Sequence, residues 1–357
     1  MSKQAAQSTT NQITEGVIWK QLLIFFFPIL FGTFFQQLYN TADAIIVGNF
    51  VGKEALASVG GSASTIINLL VGFFVGLSSG ATVIISQYYG ADNRRRVRDS
   101  VHTAIALAIA GGVVIMLLGL VSARFALTAM GTPDDILSLS LTYMKIYYLG
   151  TIPSMIYNMG SGILRAVGDS KRPLYFLIAS CLVNIVLDLL FVAVLDMGVA
   201  GAAIATIASQ FFSAILTLIA LLRTQDSYRL IVSKIRFHRD LLFDIIKIGL
   251  PAGLQSTVFS LSNVVIQSAI NSFGSTVVAG NSAASNLEGF IYTGMNAFAQ
   301  AAVTFTSQNV GARRYDNLDR VMRNCLLCVT VVGLFLGCGA YFGGEVLLHF
   351  YSTDEAV

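Results

Sequence analysis

The sequence predicts an all-α polytopic membrane protein of two parallel-repeat six-helix lobes, twelve helices when complete, with nine helices present. Three observations carry this expectation. Of 357 residues, 55% are hydrophobic and only 11% are charged, where a soluble domain carries about 25% charge. Nine apolar stretches are each long enough to cross about 30 Å of hydrocarbon at 1.5 Å per residue. A set of motifs recurs at an offset of 221 to 223 residues.

The first sixteen residues are polar and do not form a signal peptide, so the first apolar stretch is expected to stay as an anchor. The spans read as 17–46, 55–87, 97–120, 137–162, 173–194, 198–222, 240–270, 276–308 and 318–341. Pro28, Pro153 and Pro251 fall within three of them. Inside a bilayer the carbonyls that proline frees are usually satisfied by neighbouring helices. The Gly72–Gly76 stretch predicts close helix packing or flexibility. Cys181, Cys325, Cys328 and Cys338 lie in apolar stretches and read as small hydrophobes; the Cys325-x-x-Cys328 pair has no second pair or histidine cluster beside it.

The loops orient the chain. With the N-terminus inside, 18 of the 22 lysines and arginines fall on the inner face, in groups at 94–98, 165–172, 223–239 and 313–323 with Lys3 and Lys20. Lys53 and Arg124 fall outside, and Lys145 and Lys247 within spans. That distribution follows the positive-inside rule, and Trp19 suits an interfacial anchor. The localisation expected is a multi-pass protein of the cell membrane with a cytoplasmic N-terminus.

The repeat is explicit. Pro28 and Pro251 stand 223 apart, and Ser86-Gln87-Tyr88-Tyr89-Gly90-Ala91 matches Ser307-Gln308-Asn309-Val310-Gly311-Ala312 at 221. Phe50-Val51-Gly52 aligns with Phe273-Gly274, and the loop at Gly131–Asp135 with Ser352–Ala356. Six spans separate equivalent points, so the copies share one membrane orientation, as in parallel-repeat transporters. The expected division is an N-terminal lobe over 1–230 and the first half of a second lobe over 231–357. Since the second copy stops after three helices, a truncated or partial form of a twelve-helix protein is expected.

Few ionisable groups lie within the spans, and each is costly there, so it usually faces a cavity or a partner. Asp43 on span 1 is roughly 8–12 Å below the outer surface, Asp188 on span 5 roughly 12 Å, and Thr206 on span 6 roughly 15 Å. Tyr39 and Asp43 are i,i+4 neighbours, and so are Asn184 and Asp188. Two carboxylates among amide, hydroxyl and phenol oxygens suit Na⁺, and equally suit a shared proton, because close carboxylates resist ionising together. A helix-packing role is the plainer reading of a single aspartate. Two at one depth weigh against it, as does the absence of Asp43 from the second copy, where Val265 and Ile266 stand. Glu288, near the middle of span 8, reads either as a cavity carboxylate or as a protonated packing residue. Asn40 and Gln255 are further cavity candidates. Lys145 is expected to snorkel to the interface. The arginine groups are topology determinants first, with anionic lipid a second reading.

Taken together, Pro28, the Leu38-Tyr39-Asn40-Thr41-Ala42-Asp43 stretch, both Ser-Gln-x-x-Gly-Ala motifs, the Leu164–Asp169 loop and the repeat resemble the multidrug and toxic compound extrusion (MATE) family along essentially the whole chain. The resemblance implies twelve helices around a central cavity with alternating access, and export of organic, often cationic, compounds against entering H⁺ or Na⁺. In the branch with an acidic first lobe, the matching positions are Asp43, Tyr39, Asn184, Asp188 and Thr206. A possible Na⁺ would sit at Asp43, Asn184, Asp188 and Thr206. Another branch uses a glutamate on its seventh helix; residues 251–259 carry no acid, which argues against a site of that kind.

The expected function is therefore a cation-coupled antiporter, not an enzyme. No cofactor is expected beyond the coupling ion. The expected partners are small organic substrates and membrane lipids, without nucleic acid and without an oligomer. A lipid or lipid-linked oligosaccharide flippase of the same superfamily is the alternative, but it calls for cavity arginines, and the arginines here lie in inner loops. An intramembrane enzyme would need clustered ligands or bases, and His102, His238 and His349 are scattered.

Overall fold

A computed structural model of the chain describes residues 12–271 and 275–349. The expected repeat elements at Phe273-Gly274 and Ser352–Ala356 lie outside the described residues, as does Lys3. The described residues are nearly all helical: α1 Gln12–Glu15, α2 Ile18–Phe50, α3 Lys53–Gly60, α4 Ser62–Gly90, α5 Arg94–Ala129, α6 Asp134–Leu149, α7 Thr151–Ala166, α8 Lys171–Asp188, α9 Gly198–Arg223, α10 Arg239–Asn271, α11 Ser275–Gly311 and α12 Asp316–His349. A π-helical turn, Leu189–Val194, continues α8, and a 3₁₀ turn, Val232–Lys234, lies in the connection before α10.

Among the described residues seven helical stretches are long and apolar enough to cross a bilayer. Their surfaces are apolar too: Val121 is 84% exposed, Phe125 77% and Phe335 78%. Water would penalise such surfaces and hydrocarbon does not. Cys181 and Cys325 are buried, but Cys338 is exposed on one of these apolar surfaces, against the buried reading; all four thiols are free.

Three expected spans differ in detail. The third begins at Arg94 and runs to Ala129, taking in Arg124. Its early start has a local cause: the Asn93 side chain accepts the Arg96 N–H at 3.1 Å and caps the helix. The second span is divided into α3 and α4 at Gly61. The fourth is divided at Gly150, and Pro153 therefore falls in the first turn of α7, where its missing N–H breaks no helical bond. Its carbonyl partner needs no rescue by a neighbour, unlike that of Pro28, which stays inside the unbroken α2. Thr33, one turn on, bonds back to the carbonyls of Ile29 (3.1 Å) and Leu30 (2.9 Å).

The repeat is visible as the same turn made twice. Ala91 and Ala312 donate to Gln87 and Gln308 at 3.0 and 2.9 Å, and Asn93 and Arg314 donate to Tyr88 and Asn309 at 3.0 and 2.9 Å. Asp92 and Arg313 both take the left-handed conformation, φ 51° and 57°. These two turns also meet. A Cβ at Gly90 would strike the Gln308 backbone, and one at Gly311 the Gln87 backbone, so the helices cross in reciprocal backbone contact. Above that crossing α4 packs on α10 through Gly76 against Gly253 and Gly80 against Gly249. Spacings of four put both pairs on single faces and let the backbones touch. The packing reading of this glycine run holds for Gly76, while Gly72 meets nothing within 4 Å.

One apolar core joins α2 through α10, from Ile46 and Val47 to Ile245. A second gathers the beginning of α2 with α11 and α12, where the Phe26 and Phe298 rings stack with centroids 3.7 Å apart.

Candidate functional site

The buried residues of α2 form one stripe at helical spacing: Ile18, Leu22, Phe25, Phe26, Ile29, Gly32, then Asp43, Ile46 and Val47. Asp43 thus occupies a position that period and packing would give to a hydrophobe. The stripe of α8 ends likewise in Ser180, Cys181, Asn184 and Asp188. Helices α2, α8 and α9 pack together, and the Asp43 end of the α2 stripe meets the Asp188 end of the α8 stripe.

The structure brings the five expected residues into one buried cluster. Asp43 is 7% exposed, Asp188 and Asn184 are fully buried, and Thr206 is 4% exposed. The carboxyl of Asp43 faces that of Asp188. Asn184 lies beside Asp188, and Tyr39 stands beside Thr206 and Ser209. Thr206 donates to the Ala202 carbonyl at 3.0 Å, leaving its lone pairs turned to the cluster. Asp188 is the last α-helical residue before the π turn, in which Leu195 donates to Leu190 at 2.9 Å. Such turns re-aim side chains and occur often at functional sites.

The polar accounting is unusual. Tyr39 Oη, Asp43 Oδ1, both Asp188 oxygens and both side-chain polar atoms of Asn184 are buried with no hydrogen-bond partner. A buried polar group without a partner costs about 1–3 kcal/mol, more if charged. Two facing carboxylates can bond to each other only by sharing a proton, and otherwise need a cation between them. Chemically the cluster is an all-oxygen donor set with one amide, suited to one proton or one small hard cation.

Sequence reasoning missed part of this wall. Tyr143 of α6 is buried against Asp43, Tyr147, Tyr39 and Asp188. Tyr147, one turn on, accepts from Gln210 Nε2 at 3.5 Å. The i,i+4 phenol pair at 143 and 147 was the available signal, and Gln210 lies four residues beyond Thr206. Glu288, Asn40 and Gln255 are exposed, and none makes a hydrogen bond or ion pair with the cluster. Lys145 is exposed as well.

The chain was then compared with known proteins. The MatE family model matches residues 28–190 and 251–357. The chain is 26% identical over 355 residues to "Probable multidrug resistance protein YoeA" of Bacillus subtilis (strain 168), covering 97% of this chain and 76% of that protein. It is 32% identical over 298 residues to "Probable multidrug resistance protein YpnP" of the same strain, covering 84% and 66%. Among solved structures it superposes, with a TM-score of 0.89 and 25% identity over 98% of this chain and 77% of the other, on a MOP superfamily transporter from Pyrococcus furiosus. These relatives and neighbours are transporters rather than enzymes. The chain is a multi-pass membrane protein belonging to the MatE family of multidrug efflux transporters.

Proposed function

We propose that the protein is a cation-coupled antiporter that exports organic compounds, and that Asp43 and Asp188 form its coupling site. The observation that supports this most is the buried cluster itself: six polar atoms of Tyr39, Asp43, Asn184 and Asp188 without partners. Evolution keeps such a cost where the missing partner arrives during function. The ion is H⁺ or Na⁺, entering from the face opposite the basic loops, with the N-terminus on the cytoplasmic side of the cell membrane. In the empty site the two carboxylates repel. A bound cation relieves that repulsion and lets α2 repack against α8 and α9, with Pro28 as its weak point. The ion acts through its different affinity for the two arrangements, since only such a difference shifts an equilibrium. The same reading divides the chain into one lobe over 1–230 and the start of another over 231–357, with the drug path between them. Asn40, Gln255 and Glu288, exposed on α2, α10 and α11, are its polar lining.

The test is efflux from proteoliposomes of the intact protein with a pH gradient or a Na⁺ gradient imposed separately. One of the two gradients is expected to drive export, and Asp43→Asn and Asp188→Asn to abolish it in folded protein. Undiminished gradient-driven export by both variants would overturn the assignment.

A further inference from the structure

The face that carries the basic loops holds a walled recess lined by none of the residues of the Asp43–Asp188 cluster. It forms where the first turns of α5 meet the connection between α9 and α10. Arg95, Arg98, Asp99, Lys234, Arg236 and His238 line a space of about 280 Å³. Three ties close its walls. Arg96 pairs with Asp240. The Ile231 N–H donates to His102 Nε2 at 3.0 Å. The Thr103 hydroxyl donates to the Asp99 carbonyl at 2.9 Å and accepts the His238 backbone N–H at 3.2 Å.

The hydrogen bonds assign the ring nitrogens of both histidines. Because Ile231 donates to His102 Nε2, that ring carries its hydrogen on Nδ1, which donates to the Arg98 carbonyl at 2.6 Å. Arg236 Nε–H likewise donates to His238 Nε2 at 3.3 Å, so His238 donates from Nδ1 to Thr103 at 3.1 Å. Besides the histidines, the recess sets four cations, Arg95, Arg98, Lys234 and Arg236, against the single carboxylate of Asp99. That carboxylate comes no nearer than 3.9 Å to Arg95 or to His238, beyond hydrogen-bond distance. Orientation in the membrane requires positive charge on this face, but it does not require the charges to converge on one recess. Next in the chain, the first turns of α10 present an open face with Arg239, Asp240, Leu242, Phe243 and Ile246, and Phe243 is 68% exposed.

We propose that this recess binds the phosphate of an anionic phospholipid, whose acyl chain lies along the exposed α10 face at Phe243. Bound there, the lipid cross-links α5 to the connection that leads into α10. The ligand chemistry is a phosphate group with surplus negative charge. Zwitterionic phosphatidylcholine lacks that surplus, and inorganic phosphate lacks the chain.

The test uses the intact purified protein, delipidated in detergent and titrated with phosphatidylglycerol, phosphatidylcholine or inorganic phosphate, with bound ligand counted by native mass spectrometry. Phosphatidylglycerol is expected to bind best. The double variant Arg98→Gln/Arg236→Gln is expected to weaken it roughly tenfold or more. The control Arg320→Gln/Arg323→Gln removes the same charge from the other basic turn and is expected to leave binding unchanged. Equal loss in both double variants overturns a built site in favour of diffuse attraction. Phe243→Ser, a surface change that leaves the recess intact, is expected to weaken the lipid but not inorganic phosphate. Inorganic phosphate binding as tightly as the lipid, or no effect of Phe243→Ser, overturns the lipid assignment.

Discussion

Two seams of this molecule bury polar side chains, and they treat them in opposite ways. Where α4 crosses α11, Gln308 is fully buried and its Nε2 donates to the Ala166 carbonyl at 2.7 Å; Ser86 donates to the same carbonyl at 3.2 Å. Asn309, also fully buried, donates to Phe305 at 2.8 Å and accepts from Asn317 at 2.9 Å. Where α2 meets α8 and α9, Tyr39, Asp43, Asn184 and Asp188 have atoms that go without. The first seam is a finished structural joint. The second holds donors and acceptors in place at a standing cost, as the proposed coupling site would.

The sharpest way to break this contrast is to neutralise the second seam. Asp43→Asn or Asp188→Asn is expected to reduce gradient-driven export by more than tenfold, while the melting temperature in detergent stays level or rises, because a like-charge contact has been removed. A lowered melting temperature with export retained would make the pair structural. Next in size is Gly90→Leu at the first seam. A side chain there meets backbone that cannot rotate away, and the expected destabilisation is about 3 kcal/mol or more. Thermal unfolding checks it, and an unchanged midpoint would contradict the reciprocal crossing. Gln308→Ala should cost about 0.5–1.5 kcal/mol for its bond to the Ala166 carbonyl, which keeps Ser86, plus the cavity left in a fully buried seam. The smallest expected effect is Tyr147→Phe. It removes the long bond from Gln210, for about 0.5–1.5 kcal/mol, and should leave ion dependence in the efflux assay intact.

Much of this was legible in the residues. Lipid as solvent demands long apolar helices, so the approximate positions of most spans could be read, although seven stretches rather than the expected nine are long and apolar enough among the described residues. The Ser-Gln-x-x-Gly-Ala motif announced a repeated turn because its glycine is required at a close crossing. Asp43 and Asp188 stood out since a carboxylate in hydrocarbon is rare enough to need a reason. Less was legible where the signal is shared with ordinary packing. Tyr143 and Tyr147 look like interfacial aromatics, and their i,i+4 spacing alone does not separate that role from the wall of an acidic cluster. The break at Gly150 was hidden because glycine is common within membrane helices.

What the sequence by itself determined was the inventory: membrane class, helix positions, the duplicated turn and the costly carboxylates. These follow from transfer free energies and backbone geometry, which act residue by residue. Only the tertiary structure decided which polar groups find partners. Gln308 and Asp188 are both fully buried polar residues, and no local rule separates them. The difference lies in what each faces across a helix seam, the carbonyl of Ala166 for one and a second carboxylate for the other.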